Sequence, residues 1–137
     1  MKATCIRRLV NKRPFFIVEK DETVDVSIDG DNVFTVNGIP MTRSGFFHHF
    51  KTDNPEVKMS YSDFEHILRN YVFTMALIYP EYISNGEHFL IIKDWCNKRI
   101  YISCNEKENS IRVSFNHGSW DQYTSYEDAM EDICNHK

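Results

Sequence analysis

No run of about 18 apolar residues occurs in the chain, so no membrane-spanning helix is expected. The stretch from Met1 to Arg8 is too charged for the apolar centre of a secretory signal, and a cytoplasmic protein is expected. The five glycines form neither a phosphate-cradling loop nor a G-x-S-x-G nucleophile elbow. Cys5, Cys96, Cys104 and Cys134 include no C-x-x-C pair and no tight framework, which predicts reduced thiols, some of them buried. His48, His49, His66, His88, His117 and His136 contain no i, i+4 pair on a helix. Adjacent His48 and His49 diverge by about 100° on one, so neither a metal nor another cofactor is expected. Asp29-Gly30-Asp31-Asn32 has the start of a calcium loop but lacks its later ligands, and reads as a hairpin turn. Neither internal repeats nor low-complexity segments nor linkers divide the chain.

Charge is unevenly missing. Acids are absent before Glu19, while Lys2, Arg7, Arg8, Lys12 and Arg13 are basic. Cations are absent from the stretch holding Glu127, Asp128, Glu131 and Asp132. The net charge of −4 argues against a general polyanion binder, but a basic edge beside acidic faces gives steering fields of both signs. At 137 residues, with 42% hydrophobic and 26% charged content, the chain has the make-up of one ordinary globular domain. Ten Phe and seven Tyr are generous, and aromatics both fill cores and mark binding surfaces.

The firmest pattern lies in residues 60–79. Phe64, Ile67, Leu68, Tyr71, Val72, Met75 and Ile78 recur at helical spacing. Ser62 with Glu65 reads as a capping box, and Pro80 as the stop. Before it, residues 4–10, Phe15–Val18, 24–28 and 33–37 read as strands, with Phe15–Val18 buried on both faces. Residues 42–51 read as a short helix capped at Thr42 or Ser44, with Phe46, Phe47 and Phe50 apolar. After it comes a meander of three strands, 87–93, 99–104 and 111–115. A last helix starts at Thr124 or Ser125 and buries Tyr126, Ala129, Met130, Ile133 and Cys134. Short turns force antiparallel pairing, so the class is α+β: about seven strands in one or two sheets, packed on a central amphipathic helix, with a short C-terminal helix. One domain, 1–137, is expected: a β-rich half 1–40, helices 42–79, and the meander with its helix, 87–137.

Three constellations carry functional expectations. The acids of the last helix form a row resembling phosphates, and Trp120, Asp121 and Tyr123 precede it in what reads as a loop. Trp95, in another loop, is a further candidate anchor. On the meander's outward face, Arg99, Tyr101 and Arg112 interleave cations with a ring, as nucleic-acid-binding sheets do. Cys96 and His117 are the natural participants of any site assembled only in three dimensions.

The leading expectation is a non-enzymatic cytosolic protein that binds and inhibits a nucleic-acid-processing protein, such as a nuclease. Asp121, Glu127, Asp128, Glu131 and Asp132 would imitate nucleic acid, with Trp120 and Tyr123 as anchors. In size, acidity and lack of catalytic motifs, the chain resembles phage-encoded inhibitors of host defence, anti-CRISPR proteins among them, and toxin-immunity proteins. The alternative is direct nucleic-acid binding through Arg7, Arg8, Arg13, Arg99, Tyr101 and Arg112. A small enzyme is the third reading. No membrane partner is expected.

Overall fold

A computed structural model describes residues 1–30, 33–82, 87–94, 98–108, 110–116 and 118–136. Among them, twelve strands in three antiparallel sheets and three α-helices give an α+β architecture. None of these helices is long and apolar enough to cross a membrane. The chain divides into two compact units, Met1–Met59 and Ser60–Lys137.

The first unit contains β1 (Lys2–Cys5), β2 (Leu9–Lys12), β3 (Phe15–Val18), β4 (Thr23–Asp29), β5 (Val33–Val36), β6 (Ile39–Thr42), α1 (Arg43–His49) and β7 (Phe50–Thr52). Five of these strands form a sheet in the order β6-β5-β4-β1-β7. Asn37 and Gly38, at φ 51° and 77°, make the two-residue turn between β5 and β6, where both positions require the left-handed region. Thr42 caps α1 as the sequence predicts, its hydroxyl accepting from the Gly45 N–H at 3.2 Å. The helix lowers Phe46 and Phe47 onto the sheet. Phe46 stacks on Phe34 at 4.4 Å and on Phe50 at 5.3 Å, and all these rings are fully buried.

Two expectations fail here. The strand expected over 4–10 is split, because its apolar residues serve two sheets: β1 pairs with β4 and β7, and, among the described residues, β2 pairs only with β3. Phe15–Val18 is not buried on both faces. Val18 is buried, but Phe15 is 69% exposed, beside Lys12 across the ribbon, and Val10 and Ile17 form the adjoining exposed pair. A two-stranded ribbon packs one face and leaves the other wet.

The His49 ring, at the end of α1, donates from Nδ1 to the Arg7 carbonyl at 2.9 Å. Burial pushes its pKa below the ordinary 6.5, and the nearby Arg7 charge adds to this while the carbonyl bond opposes it. Because the folded value lies below the unfolded one, the unfolded state takes up the proton first. Stability is therefore full above pH 6.5 and is lost as pH falls through the window below it. A single proton sets a ceiling of about 1.4 kcal/mol per pH unit. Urea midpoints measured across this window should slope downward with acidification, and His49→Gln should flatten that slope.

The second unit opens with α2 (Tyr61–Ile67) and one π-helical turn, Leu68–Val72. It continues with β8 (Leu77–Tyr82), β9 (Glu87–Lys93), β10 (Arg99–Asn105), β11 (Ser110–Phe115), β12 (Trp120–Tyr123) and α3 (Tyr126–His136). The capping box is Ser60 with Asp63, not Ser62 with Glu65: the Ser60 hydroxyl accepts from the Asp63 N–H at 3.2 Å and Asp63 accepts from the Ser60 N–H at 3.0 Å. Glu65 instead pairs with Arg69 one turn on, at 3.1 Å. The helix also stops short of residue 79. Phe73 donates to the Leu68 carbonyl at 2.8 Å, an i→i+5 bond that widens the last turn, and the chain leaves as strand β8. Pro80 therefore lies in a strand. That strand is the edge of its sheet, where only one side needs ladder hydrogen bonds.

The sheet runs β12-β11-β10-β9-β8. The centre of one face is buried: Leu90, Ile92, Ile102, Cys104, Ile111 and Val113. α3 packs against β11, β12 and α2. Its Ala129, Met130 and Ile133 and α2's Phe64 and Ile67 are buried as well, and Phe64 meets Tyr126 at 5.2 Å between ring centres.

Candidate functional site

Strand alternation decides what the other face of this sheet carries. Directly paired residues project to the same side. One row reads Phe89, Ser103, Arg112 and Gln122 across four strands, and the next reads Ile91, Tyr101, Ser114 and Trp120. Lys93 and Arg99 pair at the end of the same face. Three rings and three cations thus share one side, with Glu87 opposite Asn105 at its other end. Sequence reading placed only Tyr101 there with certainty. Phe89 is a strand residue of odd register, and Trp120 opens a strand rather than sitting in a loop, so both join it.

The rows are not filled evenly. Serines alternate with rings, which leaves slots between them. Phe89, Ser103, Arg112, Trp120 and Gln122 line an open cavity of about 390 Å³. Phe89 and Tyr101 lie 6.4 Å apart, tilted by 33°. Tyr101 and Trp120 are two strands apart, about 10 Å by strand spacing, with only Ser114 between them. Ser114 is buried and donates to the Gly118 carbonyl at 2.9 Å, so it fixes the loop that leads into Trp120. Trp120 is 49% exposed. Among the described residues, no carboxylate pairs with Lys93, Arg99 or Arg112. A flat ring system can enter such slots, and an anion beside it would meet unneutralised cations.

The residues expected to act with the last helix are divided. Asp121 and Tyr123 pair with Val113 and Ile111, which places them on the helix side of the sheet, opposite to Trp120. The acidic row is broken as well. Glu127 is buried, and Asp132 accepts a hydrogen bond from the Tyr123 hydroxyl. Burial together with this bond to Asp132 raises the Tyr123 pKa. Asp128 and Glu131 remain exposed.

The basic N-terminal residues lie in the other unit. Arg7 is spent on His48, donating to its carbonyl at 2.9 Å, and Arg8 pairs with Glu19 at 3.0 Å. Arg13 is exposed at the tip of the β2–β3 ribbon. Trp95, Cys96 and His117 lie outside the described residues. Cys104 is buried, and burial, helped by the Glu106 charge, pushes its thiol up to about 12, so it is held as the neutral, unreactive form. Among the described residues, no group of three or more His, Cys, Asp or Glu is placed to hold a metal ion.

Neither a family model, nor a curated protein, nor a solved structure matches the chain.

Proposed function

We propose that the protein is a non-enzymatic binding module whose outward C-terminal sheet face takes single-stranded nucleic acid. The observation that carries this is the sharing of one face by Phe89, Tyr101 and Trp120 with Lys93, Arg99 and Arg112, none of the cations paired to a carboxylate among the described residues. Rings stack on bases of any sequence, and cations follow the backbone. Serines between the rings leave room for bases that a continuous aromatic carpet would not. The net charge of −4 means that binding depends on this local patch rather than on the field of the whole molecule.

The test is fluorescence anisotropy with a labelled oligothymidylate across a salt series. Each phosphate contact on a single strand contributes a log–log slope of about −0.7, so three cations predict about −2. Arg112→Gln should reduce the slope by about 0.7. A flat salt response would exclude the proposal.

A second reading, inhibition of a nucleic-acid-processing protein by the acidic helix, is favoured by the exposed pair Asp128 and Glu131. With Asp132 and Asn135 they line a shallow depression of about 210 Å³. Its mark is a protein partner that survives nuclease treatment and is lost on joint Asp128→Lys and Glu131→Lys reversal.

A further inference from the structure

We propose that the unfilled end of the Ser60–Lys137 core is a binding site for a small amphipathic anion, a medium-chain or aromatic carboxylate. The site follows from where the helical layer stops. Ile78, Ile92, Ile100 and Phe115 pair across four strands and form the last apolar row on the helix side of the sheet. A longer helical layer would lay further apolar side chains over Ile92, Ile100 and Phe115. The π-helical turn ends the layer at Val72 instead, and Met75, which helical spacing assigns to the core, is 85% exposed. What remains is a cavity of about 320 Å³, lined by Val72, Phe73, Met75 and Ala76 and by Ile92, Ile100 and Phe115 of that row. That volume and an apolar lining with a few polar groups at the rim are the attributes of a small-molecule site.

The rim sets the ligand's charge. Asp94, Lys98, Arg99 and Asn116 stand at the mouth. Two of its three side-chain oxygens already take backbone donors: Asp94 Oδ1 receives the Lys98 N–H at 2.8 Å, and Asn116 Oδ1 receives the Arg99 N–H at 3.1 Å, so against the single Asp94 carboxylate the mouth holds two cations. The Asn116 N–H donates back to the Arg99 carbonyl at 2.8 Å, so the rim is braced on both sides of the sheet end. Among the described residues, the Lys98 and Arg99 side chains have no carboxylate partner. An apolar body inside the cavity with an anionic head at the rim would satisfy both walls and cations. The apolar body of the cavity lies on the helix side of the sheet, and Arg99, at the strand end, is the residue it shares with the nucleic-acid reading, so the test is made at Lys98 and Ala76.

The probe is decanoate, kept below its micellar concentration and titrated calorimetrically into the full chain without nucleic acid. Decanol and decylamine carry the same tail with no charge and with the opposite charge. Decanoate should bind with 1:1 stoichiometry, about tenfold or more tighter than decylamine. Lys98→Gln, a change at an exposed side chain that leaves the fold in place, should weaken decanoate about fivefold and leave decanol unchanged. Ala76→Phe should abolish binding of both by filling the cavity, with unchanged thermal unfolding as its control. Equal affinity for decanoate and decylamine would overturn the charge assignment. Absence of binding at millimolar decanoate, or indifference of both variants, would overturn the site.

Discussion

Trp120→Ala is expected to weaken oligothymidylate binding about 10- to 100-fold, the loss of one base–aromatic stack. The thermal midpoint should move by no more than about 2 °C. The two halves of this expectation have separate physical grounds. Trp120 is 49% exposed and opens the edge strand β12, so its removal leaves no cavity in a core. Its ring nevertheless forms one wall of the slot whose other members are Phe89, Ser103, Arg112 and Gln122. Trp120→Phe should recover most of the affinity, because a flat ring rather than the indole N–H makes the contact. Arg112→Glu should weaken binding by a comparable factor and should act chiefly at low salt, where unscreened phosphates are felt most. If Trp120→Ala binds as the parent does, the ring row is not the interface, whatever the salt slope.

Trp120 also shows where sequence reading runs out. The alternations Ile100/Ile102/Cys104 and Ile111/Val113/Phe115 predicted β10 and β11 within a residue or so, because a half-buried strand writes its period into the sequence. β12 has no such signal: Trp120, Asp121, Gln122 and Tyr123 are exposed or half-exposed, and the strand exists because β11 offers it an edge. Reading it as a loop put Trp120 beside Tyr123 and the acidic helix. Pairing puts it on the opposite face. β8 was hidden for another reason. Leu77 and Ile78 extend a helical stripe by coincidence of apolar density, and a short apolar run carries no mark distinguishing the end of a helix from an edge strand. The two Ser-x-x-acid patterns, starting at Ser60 and Ser62, are equivalent as text. Only the structure shows Asp63 returning to Ser60 while Glu65 reaches Arg69. The buried stripe of α3 was legible at Tyr126, Ala129, Met130 and Ile133, while Cys134 is only half-buried, and the burial of Glu127 was not legible, since it depends on what lies beside the stripe.

The largest expected stability effect lies in the first unit. Phe46→Ala should cost about 3–5 kcal/mol, the range for deleting a fully buried aromatic side chain. Stability of ordinary domains is about 5–15 kcal/mol, so the variant would be close to unfolding at 37 °C. The reason is the position of Phe46 among the rings. It stacks on Phe34 at 4.4 Å and on Phe50 at 5.3 Å, and meets Phe47 edge-on at 5.3 Å. Those partners are held by β5, β7 and α1, and none is free to swing into the space left behind. Collapse would have to move backbone, so most of the cavity term should persist. Urea unfolding followed by far-ultraviolet circular dichroism gives the cost. Phe15→Ala is the matched control: the same atoms are removed from a side chain 69% exposed, and the loss should stay within about 0.5 kcal/mol. The pair isolates burial from residue type. Phe34→Ala combined with Phe46→Ala should cost less than the two single losses added, because each deletion already forfeits the stack the other would break. Strict additivity would mean that the rings contribute through separate contacts with the sheet, and that the stacked cluster is not the organising core of this unit.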